Sequence, residues 1–262
     1  MRKSRFELFM IAFTILSSFL SAAAWAVDAP PSISTVDAPQ TAIVTVPPQP
    51  ASVIPVPQTD WWKQRHTWMN DRVKKGNVDM LLIGDSITHG WENEGKEVWK
   101  KYYEKRNAVN LGIGGDQTQH VLWRLENGNI DGISPKLAML MIGTNNANAK
   151  NSPEDIVAGV KAIVDKLRDK LPQTKVLVLG IFPRGADDQD PLRQTNMKAN
   201  EGIAKLADDK MVFYLDIGDK ILDSDGKLPK EIMPDLLHLS PKGYTIWAEA
   251  VEPTVVELMD EK

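Results

Sequence analysis

Five runs of mainly apolar residues, each of strand length, recur between residues 78 and 217 of the chain. Each run is nearly continuous rather than alternating, a pattern that is typical of strands buried on both faces. The runs cover residues 78–83, 108–111, 137–142, 175–181 and 211–217. They predict a five-stranded sheet that is covered on both sides.

Stretches with helical character separate these runs. They cover residues 118–126, 153–171, 191–207 and 241–258. The second stretch follows Ser152, a good N-cap, and begins with Pro153, a residue favoured in the first helical position. Alternating strands and helices predict an α/β fold with a parallel sheet, in which ligands bind at the carboxyl ends of the strands.

Polar clusters follow three of the predicted strands. Ser86 comes after the first, residues 112–116 (GIGGD) after the second and residues 143–146 (GTNN) after the third. Asp235 and His238 lie three residues apart just before the last predicted helix. We expect these segments to meet at one edge of the sheet, which would bring together the parts of a serine hydrolase.

The chemistry explains each residue type. A serine hydroxyl needs a base to take its proton, and an imidazole such as that of His238 can do so near neutral pH. Asp235 would orient that ring and stabilise its protonated form. The backbone N–H groups of Ser86 and Gly115 and the side-chain amide of Asn145 are candidate donors to an oxyanion. The residues alone do not decide between Asn145 and Asn146.

Composition narrows the class of protein. The chain has 262 residues, of which 42% are hydrophobic and 25% charged, as expected of a globular domain with one sizeable core. A net charge of −4 and the lack of a Lys/Arg block in the body of the chain argue against a nucleic acid partner. With no cysteine, the chain has no disulfide, thiolate nucleophile or Cys-ligated metal.

The N-terminus predicts export. Basic residues at positions 2, 3 and 5 precede an apolar run over residues 8–20 and the sequence Ala24-Trp25-Ala26. This is the pattern of a bacterial-type secretory signal peptide over residues 1–26, cleaved after Ala26, with a periplasmic or extracellular product. A retained anchor is the weaker alternative, since a spanning helix needs about 20 apolar residues. We expect no stable membrane insertion after cleavage.

Residues 27–59 contain eight prolines among Ala, Val, Thr and Ser. Proline removes backbone donors and favours extended conformations, so this segment is predicted to be a tether before a domain over residues 60–262. The alternative, suggested by its Val and Ile content, is an arm that packs on the domain.

Four blocks carry a family resemblance: GDS at 84–86, NLGIGGD at 110–116, GTNN at 143–146 and DLLH at 235–238. In order and spacing they resemble the four blocks of the SGNH, or GDSL, hydrolases. Residues 61–258 are also similar to the catalytic subunits of type Ib platelet-activating factor acetylhydrolase, including PRG at 183–185 and PLRQTN at 191–196.

The resemblance implies a flavodoxin-like three-layer α/β/α sandwich with a five-stranded parallel sheet. It implies Ser86 as nucleophile, Asp235 and His238 as its partners, and Gly115 and Asn145 as oxyanion donors with Ser86. It implies no metal or organic cofactor and would permit a homodimer. The export signal and residues 87–99 differ from the animal subunits, which leaves the choice of substrate open.

The sequence therefore predicts an exported serine esterase that acts on short acyl esters, with acetyl favoured because no long apolar lid is evident. O-acetylated carbohydrate is the preferred substrate. The alternatives are a lipid-directed esterase, lysophospholipase or thioesterase, and a non-catalytic carbohydrate-binding protein with the same fold. His89 and His120 are expected to be structural or surface residues rather than a pair of metal ligands. Three tryptophans are expected to lie in the core or in a pocket wall rather than to bind sugars: Trp91, Trp99 and Trp123.

Overall fold

Five parallel strands form one sheet at the centre of the protein, described here from a computed structural model over residues 48–261. The strands are β1 (Met80–Gly84), β2 (Ala108–Gly112), β3 (Leu137–Met141), β4 (Lys175–Leu179) and β5 (Val212–Leu215). They lie in the order β2-β1-β3-β4-β5, and every neighbouring pair is parallel. This is the flavodoxin-like order, so the predicted sheet and fold class are confirmed.

The strands are almost entirely apolar because both faces of the sheet are buried; exceptions are Asn110 in β2 and Lys175 at the start of β4. In β1, Leu81 and Ile83 belong to the hydrophobic core on one face, whereas Met80 and Leu82 belong to the core on the other. The pleat sends successive side chains to opposite faces, so a two-sided sheet favours an apolar residue at nearly every position.

Helices cover both faces. They are α1 (Asp60–Lys74), α2 (Ser86–His89), α3 (Lys96–Tyr102), α4 (Thr118–Glu126), α5 (Thr144–Asn148), α6 (Pro153–Lys170), α7 (Pro191–Ile203), α8 (Gly218–Ile221) and α9 (Pro241–Leu258). Helices α1, α4, α6 and α7 supply buried side chains to one core, and α2, α8 and α9 to the other, against which α3 also packs. The result is a three-layer α/β/α sandwich.

Five helices among residues 48–261 were not predicted from the sequence: the short α2, α5 and α8, of four or five residues each, and the longer α1 and α3. Helix α1 buries Trp62, Met69 and Val73 along one stripe, but polar residues dominate the rest of its surface. Helix α3 has no fully buried residue. Neither helix has the strong apolar periodicity that a prediction relies on.

The arm, residues 48–59, packs on the domain. Its 3-10 turn Ala51–Val53 buries Ser52 completely, and the Thr118 hydroxyl donates to the Ser52 carbonyl at 2.8 Å. Val56 N–H donates to the Gln119 carbonyl at 3.3 Å. Residues 48–59 of the predicted tether therefore form the packed arm that was the alternative interpretation. Their backbone groups make hydrogen bonds with residues of α4.

The signal peptide predicted for residues 1–26 and the tether residues 27–47 lie outside the described part. Among residues 48–261, no helix combines the length and the apolar character that crossing a bilayer requires.

Candidate active site

Ser86 lies where β1 turns sharply into α2. It is the first residue of that helix, and the buried carboxylate of Asp85 accepts a hydrogen bond from Ile87 N–H at 3.0 Å. A Cβ on Gly84 would lie 2.1 Å from Thr88 Oγ1 and 2.5 Å from the Met141 carbonyl oxygen. Only glycine fits this crossing of β1, β3 and α2, so the Gly-Asp-Ser sequence builds the turn that presents the serine hydroxyl.

The structure brings Ser86, His238 and Asp235 together in a line. His238 Nε2 is 2.9 Å from Ser86 Oγ, and His238 Nδ1 is 2.6 Å from Asp235 Oδ2. With the ring proton on Nδ1, the imidazole donates to the carboxylate and accepts from the hydroxyl. This is the geometry in which a histidine can take the serine proton.

Asp235 holds the backbone of His238 as well as its ring. Its Oδ1 accepts hydrogen bonds from the N–H groups of Leu237 at 3.0 Å and His238 at 2.7 Å. Burial opposes ionisation of this carboxyl, but the hydrogen bonds from His238 and Leu237 outweigh burial and lower its pKa. The three-residue spacing thus makes the pair locally self-organised, and the carboxylate stays charged beside the ring.

Helix α9 connects this loop to the nucleophile. Ser240 caps the helix, and Tyr244, one turn further on, donates its hydroxyl hydrogen to the Ile87 carbonyl at 2.6 Å. Tyr244 is buried. Since Ile87 follows Ser86 in α2, this bond links the segment that carries His238 directly to the helix that carries the serine.

The candidate oxyanion donors belong to segments that lie close to Ser86: a Cβ on Gly114, next to Gly115, would be 3.8 Å from Ser86 Cβ, and Asn145 contacts the same loop through Asp116. Gly115 has a φ of +78°, a backbone conformation that favours glycine. Among the hydrogen bonds of residues 48–261, none uses the N–H of Ser86 or Gly115. Asn145 Nδ2 donates one hydrogen to the Asp116 carbonyl at 2.9 Å, which orients the amide and leaves its second hydrogen for a ligand.

The structure distinguishes the two asparagines. Asn146 is completely buried: its Oδ1 accepts from Thr118 N–H, and its Nδ2 donates to Thr118 Oγ1 and Asn151 Oδ1. Asn145 is only half-buried. Asn146 therefore joins α5 to α4, whereas Asn145 remains as the amide at the site.

Asp116 anchors the oxyanion loop, which we define as residues 112–116. Its fully buried carboxylate accepts from Gln58 Nε2 at 2.8 Å, Trp62 Nε1 at 2.7 Å and Arg124 Nε at 2.8 Å. Burial lowers the pKa of the completely buried Arg124, while Asp116 opposes that shift. The ion pair between Asp116 and Arg124 thus fixes the loop that presents Gly115.

The two histidines considered for a metal pair, His89 and His120, are both partly buried. His120 Nδ1 accepts from Gln117 N–H at 3.0 Å, at the start of α4. Burial lowers the pKa of both imidazoles. Within residues 48–261, no group of three or more His, Asp or Glu side chains is placed to hold a metal ion.

The three tryptophans singled out in the sequence pack against other aromatic residues, and two of them, Trp91 and Trp99, also line a small cleft. Trp91 is buried in an aromatic cluster with Trp99, Tyr103 and Trp247, and Trp123 packs on Trp62.

A cleft of about 730 Å³ lies near the ends of β4 and β5, but none of the predicted site residues lines it.

Sequence reasoning did not identify three residues at the site: Gln58, Trp61 and Arg124. Arg124 carried a signal, because a charged residue within the apolar stripe of a helix needs a buried partner. Gln58 and Trp61 belong to the arm and to α1, the two segments whose packing was not predicted.

Replacing Asp116 with Asn should loosen the site and destabilise the fold. The variant leaves Arg124 buried without a counter-charge, so we expect a loss of about 3 kcal/mol in the free energy of unfolding and a lower kcat. Denaturant titration and esterase assays measure both. Asp131→Asn, which removes an exposed ion pair with Lys170, is the control and should change stability by less than about 0.5 kcal/mol. Equal losses in the two variants would contradict the anchoring role.

Asp85 should make stability fall as the pH rises. Burial raises the pKa of its carboxyl from 3.8 to about 7, so the folded state holds a proton in this window that the unfolded chain has released. The resulting loss of stability between these pH values is on the order of 4 kcal/mol. Asp85→Asn has no such proton and should give a flatter curve in pH-dependent denaturation.

The control for that experiment has the opposite sign. Hydrogen bonds from the N–H groups of Val212, Met211 and Lys210 lower the pKa of Asp208 to about 2. Asp208→Asn should therefore leave the slope of stability against pH unchanged above the unfolded value of 3.8 and flatten it only below that value, where the wild type loses the stabilisation from its ionised carboxylate. An Asp85→Asn curve parallel to that of the wild type would show that Asp85 is already ionised in the folded protein.

The family to which the chain belongs is evident from its sequence. Residues 82–246, more than half of the chain, match the model of the GDSL-like lipase/acylhydrolase family. The alpha2 subunit of platelet-activating factor acetylhydrolase IB from Rattus norvegicus is 36% identical over 206 residues, which cover 77% of this chain and 86% of that protein. The resemblance seen in the four sequence blocks is thereby confirmed.

Solved structures share the fold at low sequence identity. A GDSL-like lipase from Bacteroides thetaiotaomicron matches with a TM-score of 0.60 and 17% identity, covering 74% of this chain and 97% of that one. Axe2, an acetylxylan esterase from Geobacillus stearothermophilus, matches with a TM-score of 0.55 and 18% identity, covering 71% and 96%. By sequence and by fold, this chain belongs to the GDSL-like lipase/acylhydrolase family and is a hydrolase of the esterase type.

Proposed function

We propose that the protein is an exported serine esterase that removes acetyl groups from carbohydrate. The observation that carries the proposal is the unbroken line of hydrogen-bonding distances from Asp235 through His238 to Ser86. A non-catalytic binding protein would have no need of this alignment.

The first half of the reaction forms an acyl-enzyme. Ser86 Oγ attacks the carbonyl carbon of the ester while its proton passes to His238 Nε2. The carbonyl oxygen becomes an oxyanion and accepts from the N–H groups of Ser86 and Gly115 and from Asn145 Nδ2. When the intermediate collapses, the alkoxide leaves with the proton from His238, and the acyl group stays on Ser86.

The second half returns the serine. Water enters beside the acyl group, gives a proton to His238 Nε2 and attacks the same carbonyl carbon. The oxyanion donors act again, and collapse expels Ser86 Oγ, which recovers the proton from the imidazole. Asp235 stays ionised throughout and stabilises the protonated ring in both halves.

Two comparisons support an acetyl group as the acyl part. The curated relative is named an acetylhydrolase, and a structural neighbour is named an acetylxylan esterase. Their leaving groups differ, since one name specifies platelet-activating factor and the other a xylan. The acyl group is what the two names share, so it is the better supported half of the substrate.

Export favours carbohydrate as the other half. The signal-like sequence over residues 1–26 would deliver the enzyme outside the cytoplasm, where acetylated polysaccharides are available. Expression of the full chain in an exporting bacterial host, followed by N-terminal sequencing of the periplasmic and secreted fractions, should give a protein that begins at Val27. A product that keeps Met1 and stays with the cells would overturn this part of the proposal.

An acyl-chain series tests the acetyl assignment. We expect kcat/KM on p-nitrophenyl esters to be highest for acetate and to fall with each added pair of carbons. Ser86→Ala should lower kcat by roughly 10⁴-fold or more without changing the unfolding transition, which shows that turnover uses this site. Rates that peak at eight carbons or longer would instead favour the lipid-directed alternative.

A further inference from the structure

Trp61 is a large aromatic residue that the fold leaves exposed. It is the second residue of α1, and 53% of its surface is accessible, whereas the neighbouring Trp62 is completely buried. Burying a tryptophan side chain would contribute about 2 kcal/mol or more to stability, so the fold forgoes a substantial gain at this position.

The exposed ring lies beside the nucleophile. A Cβ placed on Gly114 would be 3.8 Å from Ser86 Cβ, 3.9 Å from Trp61 Cη2 and 4.0 Å from His89 Nδ1. Gly114 is not among the glycines with positive φ, so its backbone conformation does not require glycine. A methyl group at this position would contact both the indole and the serine side chain, so Gly114 lies between them.

Anchors on both sides hold Trp61 in this place. Gln58 Nε2 and Trp62 Nε1, which precede and follow it, both donate to the Asp116 carboxylate, at 2.8 and 2.7 Å. The same carboxylate fixes the oxyanion loop through the pair with Arg124. The position of the ring is therefore tied to that of the oxyanion donors.

We propose that Trp61 is the platform on which the sugar ring of an acetylated carbohydrate packs while its acetyl group lies at Ser86. The C–H groups of a pyranose face form an apolar surface that an indole covers well, and the linkage between ring and ester would pass over Gly114, which has no side chain to obstruct it. The platform contacts the leaving group rather than the acyl group. This inference rests on the proposed deacetylase function.

Matched variants test the platform. Trp61→Ala should lower kcat/KM on xylose tetraacetate by about tenfold, mainly through a higher KM, and Trp61→Phe should retain activity within about threefold. On triacetin, an acyclic acetate ester, Trp61→Ala should lose less than about threefold. Trp68→Ala is the control: Trp68 lies on the same helix, is also 53% exposed and packs against Arg65 rather than Gly114. It should leave the kinetics on both esters unchanged.

The outcomes separate the two proposals. If the wild type hydrolyses triacetin but not xylose tetraacetate, the proposed substrate class is wrong, and the platform with it. If the wild type hydrolyses both and Trp61→Ala lowers both rates equally or neither, the platform alone is overturned, since a structural role would not distinguish a ring from an acyclic polyol. Unfolding curves for every variant check that the ring is not needed for stability, and Trp61→Gln, which has no aromatic ring but a longer side chain than alanine, replaces Trp61→Ala if that variant is unstable.

Discussion

The site depends on one buried carboxylate, that of Asp116. An ionised group without solvent must be paired and fully hydrogen-bonded, and Asp116 meets this requirement with donors from three segments: Gln58 in the arm, Trp62 in α1 and Arg124 in α4. Because Arg124 is equally buried, neither charge can be lost without stranding the other. The loop that carries Gly115 is therefore fixed by a buried ion pair, and breaking this pair would cost substantial free energy. A preorganised oxyanion site requires such a fixed loop.

The nucleophile and its base are positioned by different means. Asp235 organises His238 locally, since one carboxylate binds both the backbone and the ring of a residue three positions away. The distance from that ring to Ser86 depends instead on tertiary structure, through the bond from Tyr244 to the Ile87 carbonyl. Local hydrogen bonds therefore set the orientation of the His238 ring, and helix α9 sets its distance from Ser86.

The limits of sequence-based prediction follow the same division. The strands could be predicted because a sheet buried on both faces favours an apolar residue at nearly every position, and the first three hydrolase blocks because each lies at the end of a strand. The choice between Asn145 and Asn146 could not be predicted, because it depends on which of the two amides forms hydrogen bonds with Thr118 in α4 and with Asn151. The packing of the arm was equally hidden, since its partners, Thr118 and Asp116, are distant in sequence.

The division also bears on how specificity can vary in this fold. Ser86 and His238 lie within the matched residues 82–246, whereas Gln58 and Trp61 precede them. The residues that would break the ester bond are thus separate in the chain from those that would border its leaving group under the proposal above. Changes at Gln58 and Trp61 can alter the surface beside Gly114 without moving Ser86 or His238, provided that Asp116 keeps its other donors, Trp62 and Arg124. The end of the arm and the start of α1 therefore form the segment in which a change of alcohol would least disturb catalysis.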